Sequence, residues 1–106
     1  MRYMLLICVD ENAEVPPLDP QPWVAEMDGR GVRLMGNQLR PVADATTVTV
    51  RRGETIVSDG PFAETKEQIA GFDIIECADL DQAIEVAAKH PIAAYGAVEV
   101  RPFWEA

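Results

Sequence analysis

Apolar and polar positions set the frame of this chain. Over Arg2–Val9 the side chains alternate with a period of two: Tyr3, Leu5, Ile7 and Val9 point one way, Met4, Leu6 and Cys8 the other. Both faces of this first strand are apolar, so both need cover. Residues 12–22 are dense in proline and acid and read as a loop. Asp19 followed by Pro20 predicts an N-cap and first helical position, opening a short helix through Trp23, Val24 and Met27 that Gly29 and Gly31 end. Residues 32–40 read as a second strand, weakened by Gly36 and closed by Pro41. Thr46–Arg51 alternates valine with threonine, a strong strand pattern. Arg52-Gly53-Glu54 turns the chain, and residues 55–58 return it as a hairpin partner.

Residues 69–77 form a further strand, with Phe72 and Ile74 on one face and Ile75 and Cys77 on the other. Asp79 caps a second helix, with Gln82 at the reciprocal position of a capping-box variant. Leu80, Ala83, Ile84, Ala87 and Ala88 share one face of it at helical spacing. Lys89 and His90 stand where the helix's negative end favours cations, and Pro91 stops it. Residues 97–103 make the last strand, with Val98 and Val100 on one face and Glu99 and Arg101 on the other. The order is β-α-β-β-β-β-α-β, and two helices cover one face of such a sheet. The economical cover for the other face is the same face of a second copy, in a symmetric homodimer.

With 106 residues, 48% of them hydrophobic and 25% charged, the chain reads as one soluble domain, residues 1–106. A net charge of −9 argues against nucleic-acid backbones and anionic membranes as partners. The apolar start is too short for a membrane span of about 20 residues and lacks a signal-peptide pattern, so a cytoplasmic protein is expected. Cys8 and Cys77 have no neighbouring Cys or His at metal-ligand spacing and read as buried free thiols. The acids are not spaced as a metal-ligand set, and Gly29-Arg30-Gly31 is not a phosphate loop, so neither metal nor cofactor is expected.

Special backbone chemistry and clustered ionisable groups coincide in Asp59-Gly60-Pro61-Phe62-Ala63-Glu64-Thr65-Lys66-Glu67. This run resembles the signature of the DGPF branch of the YCII-related family. The likeness extends to Met1-Arg2-Tyr3-Met4-Leu5-Leu6-Ile7, Ile69-Ala70-Gly71-Phe72, Cys77-Ala78-Asp79-Leu80-Asp81-Gln82-Ala83 and Tyr95-Gly96-Ala97-Val98-Glu99-Val100-Arg101-Pro102. The resemblance implies a ferredoxin-like α+β sandwich that dimerises into an α+β barrel. It also implies a link to extracytoplasmic-function sigma factors. Some relatives use a His–Asp pair for acid–base chemistry, and His90, the chain's one histidine, does not match that pair.

Asp59 is a turn former, since Asp before Gly accepts backbone N–H groups and Gly60 supplies the dihedrals. The functional alternative sets its carboxylate at the barrel mouth, where partial burial would tune it as an acid or base. Phe62 reads as a core anchor of the loop or, in the functional alternative, as an apolar pocket wall. Glu64, Lys66 and Glu67 are either a solvated face or a ligand-binding group, with Arg101 as a further candidate; Thr65 with Gln68 could instead cap a single helical turn. His90 reads as a helix-terminal cation or surface residue rather than a catalyst. Trp23 and Trp104 read as core or dimer-seam residues. Two functions stay open: a small-molecule-binding protein or cofactor-free enzyme with Asp59 as acid or base, and a non-catalytic dimeric module that contacts a sigma factor.

Overall fold

The alternation read over the first strand seats it in the middle of a sheet. The computed structural model describes residues 1–105. Its elements run β1 (Arg2–Val9), α1 (Gln21–Gly29), β2 (Arg33–Gln38), β3 (Thr46–Arg51), β4 (Glu54–Asp59), β5 (Gln68–Glu76), α2 (Leu80–Ala88) and β6 (Ala97–Pro102), with short 3₁₀ turns at Val42–Asp44 and Pro91–Ala94. Four strands form one sheet in the order β2-β5-β1-β6, while β3 and β4 pair only with each other. Every pairing in the four-stranded sheet is antiparallel. With the hairpin set aside, that order and the two helices make a ferredoxin-like α+β arrangement.

Cross-strand register shows which residues share a face. Leu5 lies opposite Asp73 and Val100, and Tyr3 opposite Ile75 and Pro102. These look towards the helices, where Tyr3, Leu5 and Ile75 join Trp23, Met27, Val32, Cys77, Ala83, Val86 and Ala87 in the core. Met4, Leu6 and Cys8 look the other way and are only half-buried. Two helices do cover one face, as their number required.

Local chemistry explains the element ends. The Asp19 carboxylate accepts the Gln21 N–H at 3.0 Å, although the capping position itself is Pro20, one residue later than the sequence suggests. Asp79 accepts the Gln82 N–H at 2.9 Å, and the Gln82 side chain accepts in turn from the Ala78 N–H at 2.7 Å. The reciprocal bond thus lands one residue outside the usual capping box. Arg52 (φ 53°) and Gly53 (φ 77°) both occupy the left-handed region that a tight hairpin turn needs. The Trp23 indole donates to the Val86 carbonyl at 3.0 Å and ties α1 to α2. At their rim, Arg30 forks onto Glu85 at 3.1 and 3.2 Å and also reaches Glu26.

Some expectations fail. The buried stripe of α2 is Ala83, Val86 and Ala87, continued by His90, whereas Leu80, Ile84 and Ala88 are exposed. The helix is turned by about one position because Val86 faces Trp23, and alanine-rich spacing leaves its phase ambiguous. β2 stops at Gln38, short of Pro41. Residues 61–67 form no helical turn: the Thr65 hydroxyl donates to the Glu67 carbonyl, and the Gln68 amide donates to the Ala63 and Thr65 carbonyls. Phe62 does not anchor the core; it is 81% exposed, because the turn at Gly60 carries it away from the sheet. Trp104 is fully exposed on the single chain and so is not part of its core, which leaves the dimer-seam reading.

The molecule is flat, with extents of 47 × 41 × 18 Å. Its radius of gyration is 15.7 Å, against about 13 Å for a compact domain of this length. The β3–β4 hairpin supplies the excess: Val48, Val50, Ile56 and Val57 on it are all exposed. No helix among the described residues is long and apolar enough to cross a membrane.

Candidate functional site

Asp73 is the charged residue that the strand pattern forces inward. It sits on β5 between Gly71 and Ile75 along the helix-facing side of the sheet, and only 6% of it is exposed. A buried carboxylate needs a partner. Arg33, on the adjacent edge strand, supplies one: its Nε–H donates to Asp73 Oδ1 at 2.8 Å. The other two guanidinium nitrogens donate to Asp28 Oδ1 at 3.4 Å and to the Gly36 carbonyl at 3.1 Å. Gly36 lies opposite Asp73 in the register, and a Cβ there would collide with the carboxylate. Glycine is therefore what lets Asp73 fold back against β2.

These residues border a cleft of about 560 Å³ between the sheet, the start of α1 and the turn at Pro91–Ala94. Ile7, Val9, Leu18, Val24 and Ile92 give it apolar walls. His90 lines it as well. This corrects the surface reading of His90, which is 9% exposed and stacks edge-on against Trp23 with centroids 4.8 Å apart. Pro91 turns the chain immediately after the helix, so the ring folds under α2 instead of reaching water.

The electrostatics follow from burial. Loss of water pushes the Asp73 carboxyl above its ordinary value, and Arg33 offsets this only in part. The hydrogen bond to Asp73 holds the Arg33 guanidinium above its ordinary value. Burial pushes His90 down. Its Nδ1 accepts the Ile92 N–H at 3.1 Å, so the ring is neutral and carries its proton on Nε2. The cleft thus contains a carboxylate of raised pKa and a neutral imidazole N–H donor. Such a pair can take a proton from a bound molecule and hydrogen-bond the oxygen on which charge develops.

The residues singled out from the sequence lie elsewhere. Asp59 ends β4 opposite Thr46 and is exposed. The turn after it is held by the Gly60 N–H on the Ala45 carbonyl and by the Thr47 hydroxyl on the Gly60 carbonyl, both at 2.8 Å. Gly60 takes a φ of 92°, as an Asp-Gly turn requires. Glu64 and Lys66 come together in a shallow depression of about 310 Å³ with Glu11, Asn12 and Thr65. Asp59 and Glu67 do not line it. Arg101 pairs with Glu99 on β6, opposite Met4 and hence on the open face of the sheet. Asp73 and Arg33 went unnoticed in the sequence, yet a signal was there: Asp73 shares its alternation phase with Ile75 and Cys77, an acid on an otherwise apolar face.

A family model for the YCII-related domain matches residues 1–106. An uncharacterized protein of Rhizobium meliloti (strain 1021) is 51% identical over 67 residues, covering 61% of this chain and 54% of that protein. The match therefore spans about half the length of that curated relative.

Proposed function

The chain belongs to the YCII-related family, and on that footing we propose that it is a small-molecule-binding protein with the means for cofactor-free acid–base chemistry. The site of this reading is the cleft at Asp73, in place of the loop at Asp59. One observation carries it: a buried carboxylate bonded to Arg33 shares an apolar cleft with a neutral histidine. Asp73 is the proton acceptor and His90 the hydrogen-bond donor, while Arg33 and Gly36 position the acid. The resemblance of residues 59–67 to the DGPF signature supports membership of that branch, and the free thiols of Cys8 and Cys77 suit the cytoplasm.

The protein works as a homodimer in this reading. Each copy sets the open face bearing Met4, Leu6, Met35, Phe72 and Ile74 against its twin, closing an α+β barrel. The same exposed apolar hairpin favours a second reading, a non-catalytic dimeric module whose arm contacts a sigma factor.

A thermal-shift screen of metabolites on three proteins separates these. A compound that stabilises the wild type and Asp59→Asn, but at least tenfold less tightly Asp73→Asn, is the expected result. Loss in Asp59→Asn with retention in Asp73→Asn moves the site to the Asp59 loop and its Glu64–Lys66 depression. A screen without hits, beside capture of a sigma factor, favours the second reading.

A further inference from the structure

The cleft's own charges specify what enters it, given that it is a binding site at all. Arg33, Asp73 and His90 are the ionisable residues along its walls. Each of the three Arg33 nitrogens already donates to a partner within the protein, namely Asp73, Asp28 and the Gly36 carbonyl. Its positive charge faces two carboxylates, and His90 adds none, because its Nδ1 lone pair is occupied by the Ile92 N–H. An anion would find no unpaired cation here, and it would bring its charge towards Asp73 inside a protein that is already −9 overall. A cation would have to shed its hydration for one carboxylate that is already bonded to Arg33. What the walls do offer is apolar area from Leu18, Val24 and Ile92, the neutral amides of Gln21, Asn37 and Gln38, and the imidazole of His90.

We infer that the cleft takes an uncharged, largely apolar molecule bearing a carbonyl-type hydrogen-bond acceptor, and that it rejects anions. The His90 Nε2–H donates to that oxygen. Asp73, on the sheet side of the cleft, receives a proton from a carbon or heteroatom next to it. Lys66 and Arg101, the cationic ligand-binding candidates from the sequence, do not line this cleft.

Four probes of nearly one size test this on the wild-type protein: acetophenone, ethylbenzene, benzoate and benzylamine. Binding is read from NMR shifts of the His90 ring and the Trp23 indole N–H, with the exposed Trp104 indole as an outside reference. The expected order puts acetophenone first and ethylbenzene about fivefold weaker, the net value of one hydrogen bond. Benzoate and benzylamine should be weaker than acetophenone by about tenfold or more, the cost of stripping water from a charge. Benzoate binding as tightly as acetophenone overturns the inference, and benzylamine binding most tightly replaces it with a cation site. Equal binding of acetophenone and ethylbenzene removes the His90 hydrogen bond from the account. Shifts confined to Trp104, or none for any probe, overturn the small-molecule reading itself and this inference with it.

Discussion

His90 shows how burial reassigns a residue. In water its imidazole would titrate near its ordinary value of 6.5, but under α2 the charged form has lost its solvent and its Nδ1 is already an acceptor. Below about pH 6.5 the unfolded chain therefore binds a proton that the folded protein refuses. Stability contributed by this group is fully present above that pH and falls as the pH drops through it, by at most about 1.4 kcal/mol per pH unit. Asp73 works in the opposite sense, since its raised value makes the folded form the better proton binder above 3.8. Urea unfolding at pH 7.5 and 5.5, compared between the wild type and His90→Asn, isolates the histidine: the asparagine oxygen keeps an acceptor for the Ile92 N–H but does not titrate. The wild type should lose more stability on acidification than the variant, and equal losses would mean that His90 charges freely in the fold. The phase of Asp73 among Ile75 and Cys77 was a signal in the chain, whereas the role of His90 was not legible from its neighbours. His90 next to Lys89 looks like a helix-end cation, and only the turn at Pro91 sends it inward.

At the scale of elements, sequence and structure agree at most places where a short-range rule decides. Thr46–Arg51 alternates and is a strand, Arg52-Gly53 turns the hairpin, and Asp79 caps α2 with a direct bond to the Gln82 N–H. Replacing Asp79 by alanine leaves that N–H to water and should cost about 1 kcal/mol in urea unfolding. Gln82→Ala should cost less, because its bond to the Ala78 N–H is exposed to solvent. Agreement ends where phase matters. The helix face read as Leu80, Ala83, Ile84, Ala87 and Ala88 overlaps the buried stripe only at Ala83 and Ala87. Three alanines give periodicity little to grip, and the contact of Trp23 with Val86, 63 positions apart, settles the rotation.

The whole molecule is flat and half-dressed. Its helices bury one sheet face, while Met35 on the other is 53% exposed and the valines of the β3–β4 hairpin stand in solvent. An isolated two-stranded hairpin is marginal in water, so a surface to lie against would stabilise it. A second copy is the economical partner for both surfaces. Sedimentation at micromolar concentration should therefore give a dimer for the wild type and a monomer for Met35→Lys, with the fold retained by circular dichroism. A wild-type monomer across that range would remove the barrel.

The chain's own pattern was enough for the kind and order of its elements and for the sheet face that two helices cannot reach. Those features depend on alternation, caps and turns, which act over a few residues. Folding alone could bring Asp73 beside Arg33, 40 positions away, and set His90 against Trp23. It also left Asp59, Glu67 and Arg101 outside the cleft that Asp73 and His90 line. Proximity between distant residues depends on strand order, register and helix rotation, and no local spacing encodes those.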